Sequence, residues 1–343
     1  MKKLRVAING FGRIGRAFLK VARERQEIEI VAVNDLGDIK NFAYLLKYDS
    51  AYGVSPFDVS VNEKNNTLVI DGQEVQYLSE KEPANLPWKK LDIDVVVECT
   101  GRFTSSDKAK VHLDAGAKRV VVSAPIKDEE DSSIKGETVL LSMNEDKLEN
   151  CKISSNASCT TNAGSPLIAI LDETIGVEKA LLNTVHGYTA SQSLVDGPSK
   201  KDLREGRAAA QNLVPSSTGA AIAVTKVMPK LKGLFDGISI RVPVLTGSIV
   251  DVTFISKRET SVEEVNKILK KAAEEDRWRN IFTVTEEQLV SSDIVGNRHA
   301  SIADLAFTRV VGGNLVKVLA WYDNEMGYTY TLVEHVIKAG RLI

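Results

Sequence analysis

The sequence predicts an α/β protein with two domains, one built on a parallel sheet and one α+β domain with a mixed, largely antiparallel sheet. Three observations predict this. The chain has 343 residues, whereas one domain typically has about 150. Short apolar strands alternate with helices in the first half, and closely spaced strands dominate the second. The predicted boundaries are 1–157 with the C-terminal helix 324–343 for the first domain and 158–323 for the second.

The composition is typical of a globular protein. Apolar residues make up 43% and charged residues 26%, and 44 lysines and arginines against 46 acids give a net charge of −2. A dedicated nucleic-acid binder would carry a basic excess, and no apolar run approaches the roughly 18 residues that span a bilayer. The N-terminus lacks the apolar region of a signal peptide. With an odd count of three cysteines, this predicts a reducing, cytoplasmic location.

The first half is predicted to form strand–helix units whose apolar strands build a parallel sheet. Helices are predicted through Phe18 to Val21, Phe42 to Leu46 and Ala109 to Leu113. Asp71-Gly72 is a type I′ turn signal and predicts a hairpin. The predicted strands are Leu4 to Asn9, Ile28 to Val33, Thr67 to Ile70, Glu74 to Leu78, Asp94 to Glu98 and Arg119 to Ser123.

The pattern changes after about residue 156. A helix is predicted from Cys159 to Leu171 and a final helix from Glu325 to Gly340. Between them, Tyr188 to Gln211 shows no apolar period, and loops of such length are usually functional or interfacial. The predicted strands are Ala180 to His186, Ile238 to Val244, Ser248 to Ile255, Leu305 to Val311 and Leu315 to Tyr322.

A glycine motif follows the first strand. Gly10, Gly12 and Gly15 fit G-x-G-x-x-G, and the motif ends a strand and opens a helix, the context of a Rossmann-type dinucleotide site. Asp35 ends the second strand, where a carboxylate accepts bonds from ribose hydroxyls and repels a 2′-phosphate, so NAD is favoured over NADP. A glycine turn with a capping aspartate is the ordinary alternative. Ligands bind at strand carboxyl ends, where the chain also places Thr100, Gly101 and Ser123.

Cys159 is the candidate nucleophile. It stands among helix-capping residues, Ser155 to Asn162, just before an apolar helix. The dipole and free amides of a helix N-terminus favour a thiolate, so the thiol pKa is expected to be lowered, and a thiolate attacks carbonyl carbon readily. Cys99, placed in a core strand, and Cys151 are predicted to be inert structural cysteines.

His186 is the best-placed base for this cysteine. It ends an apolar strand where the long loop begins, although position alone leaves a purely structural role open. His112 and His335 lie on predicted helices and are expected to be solvated or packing residues. His299, in a polar loop, fits either role.

These residues together resemble the phosphorylating glyceraldehyde-3-phosphate dehydrogenases, over essentially the whole chain. The resemblance is specific because six separated blocks occur in the expected order. They are Ile8 to Arg16, Ser155 to Asn162, Thr184 to His186, Ser217 to Ala221, Arg241 to Pro243 and Trp321 to Glu325.

The resemblance implies a mechanism. Cys159 attacks the aldehyde of glyceraldehyde 3-phosphate to give a hemithioacetal, and His186 accepts the hydroxyl proton as hydride leaves to NAD. Inorganic phosphate then attacks the thioester. The resemblance assigns the inorganic-phosphate site to Ser158, Thr160, Thr218 and Gly219, and the substrate-phosphate site to Thr189 and Arg241. It assigns cofactor contacts to Gly10, Phe11, Gly12, Arg13, Ile14, Asp35, Thr100, Gly101, Ser123 and Asn324.

Two further expectations follow from the resemblance. The loop from Tyr188 resembles the family's S-shaped loop, which lines a neighbouring subunit's cofactor pocket, and this implies a homotetramer. The sequence departs from the family pattern at Ala163, where a second cysteine is common, and at Gly187, where alanine is common. Neither departure puts the activity in doubt.

Three alternatives stay open at this point. An erythrose-4-phosphate dehydrogenase would share the fold, the cysteine and the histidine. A Cys–His hydrolase could use Cys159 and His186 but would not need the glycine motif, Asp35 or Asn324. A catalytically idle binding protein would have no reason to hold Cys159 as a thiolate.

Overall fold

The computed structural model describes residues 2–128, 131–199 and 202–343. The chain divides into two compact units, the first formed by Met1–Ala157 and Thr329–Ile343 and the second by Ser158–Tyr328. The first unit is therefore discontinuous in sequence. The sequence analysis predicted that the chain returns to the first domain at residue 324, whereas the compact units divide at Thr329. The predicted domain boundaries stay a prediction, because compactness alone does not show which segments fold together.

The first unit is built on a nine-stranded sheet and also contains a separate two-stranded sheet, β3-β4. Its strands are β1 (Leu4–Asn9), β2 (Ile28–Asn34), β3 (Tyr48–Asp49), β4 (Gly53–Val54), β5 (Val59–Asn62), β6 (Thr67–Ile70), β7 (Gln73–Leu78), β8 (Val95–Glu98), β9 (Arg119–Val122), β10 (Glu137–Thr138) and β11 (Ile153–Ser155). Its first helices are α1 (Arg13–Ala22), α2 (Ile39–Lys47), α3 (Ser106–Ala109) and α4 (Val111–Asp114).

The strand order is β10-β11-β9-β8-β1-β2-β7-β6-β5. All pairs from β10 to β7 are parallel, and β6 and β5 add an antiparallel edge. The chain runs outward from β1 in both directions, through β2 on one side and β8 on the other. This arrangement creates a topological switch point at β1, where open parallel sheets bind ligands.

The predicted hairpin at Asp71-Gly72 is confirmed. Both residues have positive φ, 49° and 77°, as a type I′ turn requires, and β6 pairs antiparallel with β7 across it. The single helix predicted through Ala109 to Leu113 is wrong in detail. The structure has two short helices that meet at Lys110.

The second unit has a seven-stranded sheet of order β13-β14-β12-β15-β18-β17-β16. Four of its six pairs are antiparallel, and β12–β14 and β16–β17 are parallel, so the predicted mixed, largely antiparallel sheet is confirmed. Its strands are β12 (Val177–Gly187), β13 (Val214–Ser217), β14 (Phe235–Val242), β15 (Ser248–Ser256), β16 (Phe282–Thr285), β17 (Ser301–Val311) and β18 (Leu315–Tyr322).

Three helices belong to this unit: α5 (Cys159–Asp172), α6 (Ala220–Val227) and α7 (Val262–Glu274). The last helix, α8 (Met326–Gly340), contains the boundary between the units. Apart from its first residue, α5 is buried along its length and packs on β12, β15, β17 and β18. The sheet and α5 therefore form one core, which fixes the N-terminal turn of α5 relative to the strand ends.

No helix among residues 2–128, 131–199 and 202–343 is both long and apolar enough to cross a bilayer.

Candidate active site

A cavity of about 320 Å³ lies in the first unit at the carboxyl ends of β1, β2 and β8. Its lining includes Gly10, Gly12, Asp35 and Thr100, four of the residues assigned to the cofactor. They come together because the ends of neighbouring parallel strands meet at one edge of the sheet.

In the glycine loop, the surroundings of Gly10 and Gly15 exclude a side chain, whereas the space at Gly12 is open. Gly10 has φ +96°, and a Cβ there would lie 2.7 Å from the amide nitrogen of Thr100. A Cβ on Gly15 would meet the Gly10 carbonyl oxygen at 2.1 Å, so glycine is needed for close packing of α1 on the turn. A Cβ on Gly12 would meet nothing within 4 Å. The backbone at Gly12, at the N-terminus of α1, is therefore open to a pyrophosphate, as a dinucleotide site requires.

Asp35 lies at the mouth of β2 and is partly exposed. One carboxylate oxygen accepts from the Phe11 amide at 2.7 Å and the other from the Gly37 amide at 3.2 Å. A carboxylate has about four acceptor positions, so two neutral amide donors leave capacity for ribose hydroxyls. Arg13, assigned to the pyrophosphate, pairs with Asp49 at 3.2 Å, and Ile14 beside it is half-buried.

The remaining cofactor candidates of this unit follow β8 and β9. Gly101 turns the chain with φ +69°, and the Ser123 side chain bonds to the Cys99 sulfur. Cys99 is not inside a strand, as the sequence predicted: β8 ends at Glu98, and Cys99 is partly exposed and lines the cavity. Burial raises the pKa of its thiol to about 12, so it is a neutral thiol despite this position.

A buried polar network supports these strand ends. The Glu98 carboxylate accepts from Asn9 Nδ2 at 2.6 Å and from the Thr100 amide at 2.7 Å, and it contacts His112 Nε2 at 3.1 Å. Trp88 Nε1 donates to His112 Nδ1 at 3.1 Å. His112 is fully buried, so of the two roles expected for it, solvated or packing, the structure shows the packing role.

Cys159 is the first residue of α5. Ser158 caps the helix, its Oγ accepting from the Thr161 amide at 3.1 Å. The preceding residue, Ala157, is buried and has φ 54°, a conformation that costs energy for a residue with a side chain. The positive φ of Ala157 turns the chain sharply just before the cap residue of α5.

His186 lies at that end of β12. Its Nε2 is 3.3 Å from Cys159 Sγ, within hydrogen-bond reach for a sulfur partner. Its Nδ1 is 2.6 Å from the Gly187 carbonyl oxygen and 2.6 Å from Arg241 Nη1. Arg241 is the register partner of His186 across the parallel β12–β14 pair, which is why a strand arginine reaches the cysteine's partner instead of solvent.

The charge states of the pair follow from burial. Burial lowers the pKa of His186 to about 3, with the Arg241 charge acting in the same direction. Burial also raises the pKa of the Cys159 thiol, against the opposing effects of Arg241 and the Thr160 amide. The expectation of a lowered thiol pKa is therefore wrong, because desolvation of the sulfur outweighs the helix terminus.

The residues assigned to phosphate lie in three places. Thr160 is buried and its hydroxyl bonds to Tyr322 Oη at 2.9 Å. Thr218 Oγ1 accepts from the Ala220 amide, and Gly219 caps α6 with open space where a Cβ would be. Thr189 Oγ1 bonds to Ser191 at 3.0 Å in the long loop. Ser158 and Thr160 flank Cys159 in sequence and bond around the first turn of α5. Thr189 and Thr218 instead bond to residues of their own loops.

Asn324 is buried just before α8, in the second unit. Its Oδ1 accepts from Ser248 Oγ at 2.8 Å, whereas the single proton of the nearby Thr246 hydroxyl has a shorter bond to Asp323 Oδ1, at 2.9 Å. The Ser248 bond orients the carboxamide, as a residue that presents amide donors to a ligand requires.

Several residues in these sites were missed from the sequence. Asn34, Lys81 and Phe103 line the cavity of the first unit, and the Tyr322 hydroxyl bridges Thr160 and Thr184, at 2.9 and 2.7 Å. Asn34 adjoins Asp35 at a strand end and could have been found there. Lys81 carries no comparable signal.

Comparison with known proteins supports one family. The family model described as glyceraldehyde 3-phosphate dehydrogenase, NAD binding domain, matches residues 4–106. The model for the C-terminal domain of the same family matches residues 158–324.

Curated relatives are similar over nearly the whole chain. Glyceraldehyde-3-phosphate dehydrogenase of Mycobacterium avium is 49% identical over 98% of this chain and 99% of its own length. The Borreliella burgdorferi protein of the same name is 48% identical over 96% and 98%, and that of Streptomyces coelicolor is 46% identical over 98% of each chain. With both domain models matched and relatives this similar, the chain belongs to the glyceraldehyde-3-phosphate dehydrogenase family.

Proposed function

We propose that this protein oxidises D-glyceraldehyde 3-phosphate with NAD and inorganic phosphate to give 1,3-bisphosphoglycerate and NADH. The observation that carries the proposal is the 3.3 Å contact between Cys159 Sγ and His186 Nε2 at the first turn of α5. A thiol with a base at this distance is the arrangement that nucleophilic catalysis on a carbonyl requires.

The first step forms the bond between Cys159 Sγ and the aldehyde carbon. The thiol proton passes to His186 Nε2, and the aldehyde oxygen becomes the hydroxyl of a hemithioacetal by taking that proton. Nε2 of His186 lies 3.3 Å from Cys159 Sγ, within reach of the proton that it accepts in this step.

The second step is the oxidation. His186 Nε2 takes the hydroxyl proton while the carbon–hydrogen bond breaks, and a thioester on Cys159 remains. Bound NAD supplies the chemistry of a hydride acceptor for this step. Inorganic phosphate then attacks the thioester carbon, the carbon–sulfur bond breaks, and the thiolate recovers its proton from His186.

Cofactor binding is assigned to the first unit. The open backbone at Gly12, the N-terminus of α1 and the Asp35 carboxylate line one cavity or adjoin it, which supports NAD over NADP because Asp35 would repel a 2′-phosphate. The full set proposed to bind the cofactor is Gly10, Phe11, Gly12, Arg13, Ile14, Asp35, Thr100, Gly101, Ser123 and Asn324.

Two phosphate sites are proposed beside Cys159. Arg241 offers a charged fork next to the nucleophile, which suits the phosphate of the substrate, with Thr189 as its second ligand. Ser158, Thr160, Thr218 and Gly219 are assigned to inorganic phosphate. Gly219 supports this assignment because it begins α6 with open space around its Cα.

A homotetramer is proposed as the working state. The long loop, in its described residues 188–199 and 202–211, exposes apolar side chains: Leu194 is 73% exposed and Leu203 82%. Large exposed apolar side chains clustered in one segment indicate an interaction site. Light scattering coupled to size-exclusion chromatography tests this, and a monomer at micromolar concentration would contradict it.

A cytoplasmic location is also proposed. All three cysteines are free, and a reducing compartment keeps them so. Fractionation of cells with an antibody against the chain tests the location.

The decisive experiment measures NADH formation from D-glyceraldehyde 3-phosphate with and without inorganic phosphate. Parallel reactions replace NAD by NADP and the substrate by erythrose 4-phosphate. We expect rapid turnover only with NAD and phosphate, and slow turnover with erythrose 4-phosphate, which the names of the relatives do not favour. A single stoichiometric burst that ignores phosphate would contradict the phosphate sites and leave Cys159 as nucleophile.

A further inference from the structure

A chain of buried hydrogen bonds crosses three neighbouring strand ends at the cavity of the first unit. Asn9 Nδ2, at the end of β1, donates to Glu98 Oε2 at 2.6 Å, and Asn34 Nδ2, at the end of β2, donates to Asn9 Oδ1 at 2.8 Å. Asn34 also binds both main-chain groups of Glu80. Its Oδ1 accepts from the Glu80 amide at 2.9 Å, and its Nδ2 donates to the Glu80 carbonyl oxygen at 3.0 Å. The side chains of Glu98, Asn9 and Asn34 are buried, so water does not compete for these bonds.

The direction of every bond in this chain is fixed from both of its ends. A carboxylate only accepts, so Asn9 must turn its NH₂ group to Glu98 and its oxygen to Asn34. At the other end the Glu80 amide donates and the Glu80 carbonyl accepts, so Asn34 must turn its oxygen to that amide. Both ends require the same arrangement of the two carboxamides. A change at one member therefore leaves a buried polar group unpaired at another.

The ends of the chain hold two segments that lie beyond the sheet. Thr100 lies two residues past the end of β8, and Glu80 lies two residues past the end of β7. The Thr100 amide donates to Glu98 Oε1 at 2.7 Å, and the Thr100 hydroxyl donates to the same oxygen. Residues 99–103 and 80–83 both contribute to the cavity lining, and we call them the β8 wall and the β7 wall. One hydrogen-bonded chain thus connects the two walls.

Glu98 acts on the cavity without reaching it. The lining includes Asn9, Asn34 and Thr100 but not Glu98. Because Glu98 takes both donors of Thr100, that residue serves a bound cofactor through its position. The position is critical, since the Thr100 amide nitrogen lies 2.7 Å from where a Cβ on Gly10 would be. A shift of Thr100 therefore changes the space at the glycine loop.

We propose that Glu98 and Asn34 are positioning residues for the dinucleotide: the bonds that link them fix both walls of the cavity as one unit. The inference rests on the proposed function only in taking this cavity as the cofactor site. It predicts that a change at Glu98, which touches no ligand, weakens cofactor binding, and that a change at one wall loosens the other.

The first test is Glu98→Gln, which keeps the shape of the side chain. Glutamine has one acceptor oxygen, so its NH₂ group faces either the Thr100 donors or those of Asn9 and His112. We expect the Kd for NAD to rise by about 10-fold or more, the scale of one lost hydrogen bond. The Kd for ADP-ribose, which lacks the nicotinamide, should rise by the same factor, and kcat at saturating NAD should stay within about 2-fold. An unchanged Kd for NAD in fluorescence titration would overturn the inference.

The second test reads the coupling of the walls in the protein without ligand. Asn34→Leu removes the partner of Asn9 Oδ1, so the Asn9 carboxamide is free to turn away from Glu98. Hydrogen–deuterium exchange with mass spectrometry should then show faster exchange of the Thr100 amide on the opposite wall. In the double variant with Glu98→Gln, the Kd for NAD should rise by less than the product of the two single effects. Unchanged exchange at Thr100, or a full product, would show two independent walls and overturn the unit.

Asn144→Leu is the matched control. Asn144 is also buried in the first unit, and its carboxamide also bridges main-chain groups: Oδ1 accepts from the Leu140 amide at 2.9 Å, and Nδ2 donates to the Thr138 carbonyl oxygen at 2.8 Å. It does not line the cavity. The variant should lose unfolding free energy as Asn34→Leu does, without a change in Kd for NAD or in exchange at Thr100. A rise in Kd equal to that of Asn34→Leu would reduce the effect to lost stability and overturn the inference.

Failure of the inference and failure of the proposed function are distinguishable. If the wild type binds NAD and the variants behave as expected, but no NADH forms from glyceraldehyde 3-phosphate, the proposed function fails and the positioning role stands. If Asn34→Leu does not fold, Glu98→Gln still decides, because its effect on the Kd for NAD has no direct contact to explain it.

Discussion

Two buried histidines of this protein, His112 and His186, have hydrogen-bond partners of opposite character. His112 Nδ1 accepts from the Trp88 indole and its Nε2 donates to the Glu98 carboxylate, each at 3.1 Å. One neutral tautomer satisfies both bonds, because the third neighbour of the ring, Asn9 Nδ2 at 3.5 Å from Nε2, has a much shorter bond to Glu98 at 2.6 Å. His186 has an acceptor and a donor on the same nitrogen, and no single neutral tautomer satisfies both.

The difference teaches that burial does not separate a structural histidine from a reactive one. His112 is 0% exposed and His186 3%. What differs is whether a single neutral tautomer of the ring can satisfy all of its hydrogen-bond partners. A ring whose partners agree holds strands together, and a ring whose partners disagree is ready to move a proton. The following experiments sharpen this comparison or break it.

Removing the sulfur partner of His186 has the largest expected effect. Cys159→Ser should lower NADH formation by roughly 10⁴-fold or more, on the scale of losing a covalent nucleophile, and should leave NAD affinity unchanged. Steady-state kinetics and fluorescence titration with NAD measure the two. Cys151→Ala, at a buried structural cysteine, is the control and should retain the turnover of folded protein. Retained activity in Cys159→Ser would refute the nucleophile.

The next effect is the loss of the base. His186→Asn should slow the chemical step by about 100-fold or more, as removal of a general base does, with little loss of folding stability. Single-turnover measurement of NADH formation isolates this step. A turnover equal to that of the wild type would place the base elsewhere.

The same substitution at the other histidine should give the opposite result. His112→Asn leaves the Trp88 N–H and the Glu98 carboxylate short of a buried partner, which should cost about 2–5 kcal/mol in unfolding free energy. The kcat of the folded protein should change by no more than a few-fold. Urea unfolding with parallel kinetics measures both, and a collapse of kcat at full stability would mean that His112 is not a structural residue.

A third buried histidine gives the smallest effect, through pH. In His335, Nδ1 donates to Asn156 Oδ1 at 3.2 Å and Nε2 accepts from Ser154 Oγ at 2.8 Å, so its partners agree, as those of His112 do. Burial lowers its pKa to about 3. The unfolded chain therefore binds a proton below about pH 6.5 that the folded chain refuses.

Stability should accordingly be full above pH 6.5 and fall as pH drops toward 3. The loss is about 1.4 kcal/mol per pH unit for one such histidine. Urea unfolding of the wild type and of His335→Asn at pH 6.5 and 5.5 measures it. The variant should lose less stability than the wild type over this interval. The two proteins have the same carboxylates, so the effect of carboxylate titration cancels in the comparison. An equal loss in the two would contradict the assignment.

Sequence predicted the features that depend on local signals. The glycine turn, the Asp71-Gly72 hairpin and the capped helix at Cys159 are each signalled by a few consecutive residues, and all three lie where expected. The family resemblance added the order of the six blocks, which local patterns do not supply.

Features that depend on sheet order could not be predicted. His112 contacts Glu98 and Trp88 only because β8 lies beside β1 and α4 packs near it, so helical position alone could not decide between a solvated and a packing role. The thiol pKa was misjudged for a similar reason. The helix terminus is visible in the sequence at Ser158, but the desolvation that outweighs it comes from chain segments far away in sequence.

The discontinuity of the first unit has a consequence for how the chain is made. Its last segment, Thr329–Ile343, follows the whole of the second unit, yet it supplies the His335 bonds to Ser154 and Asn156 and an ion pair from Glu334 to Arg25. On the ribosome, synthesis runs from the N-terminus, so the second unit can close while the first, begun earlier, still waits for its final helix. A nascent chain stalled before residue 329 should therefore expose to chaperones and proteases the surface that this segment covers, even though every strand of the first unit has already been translated.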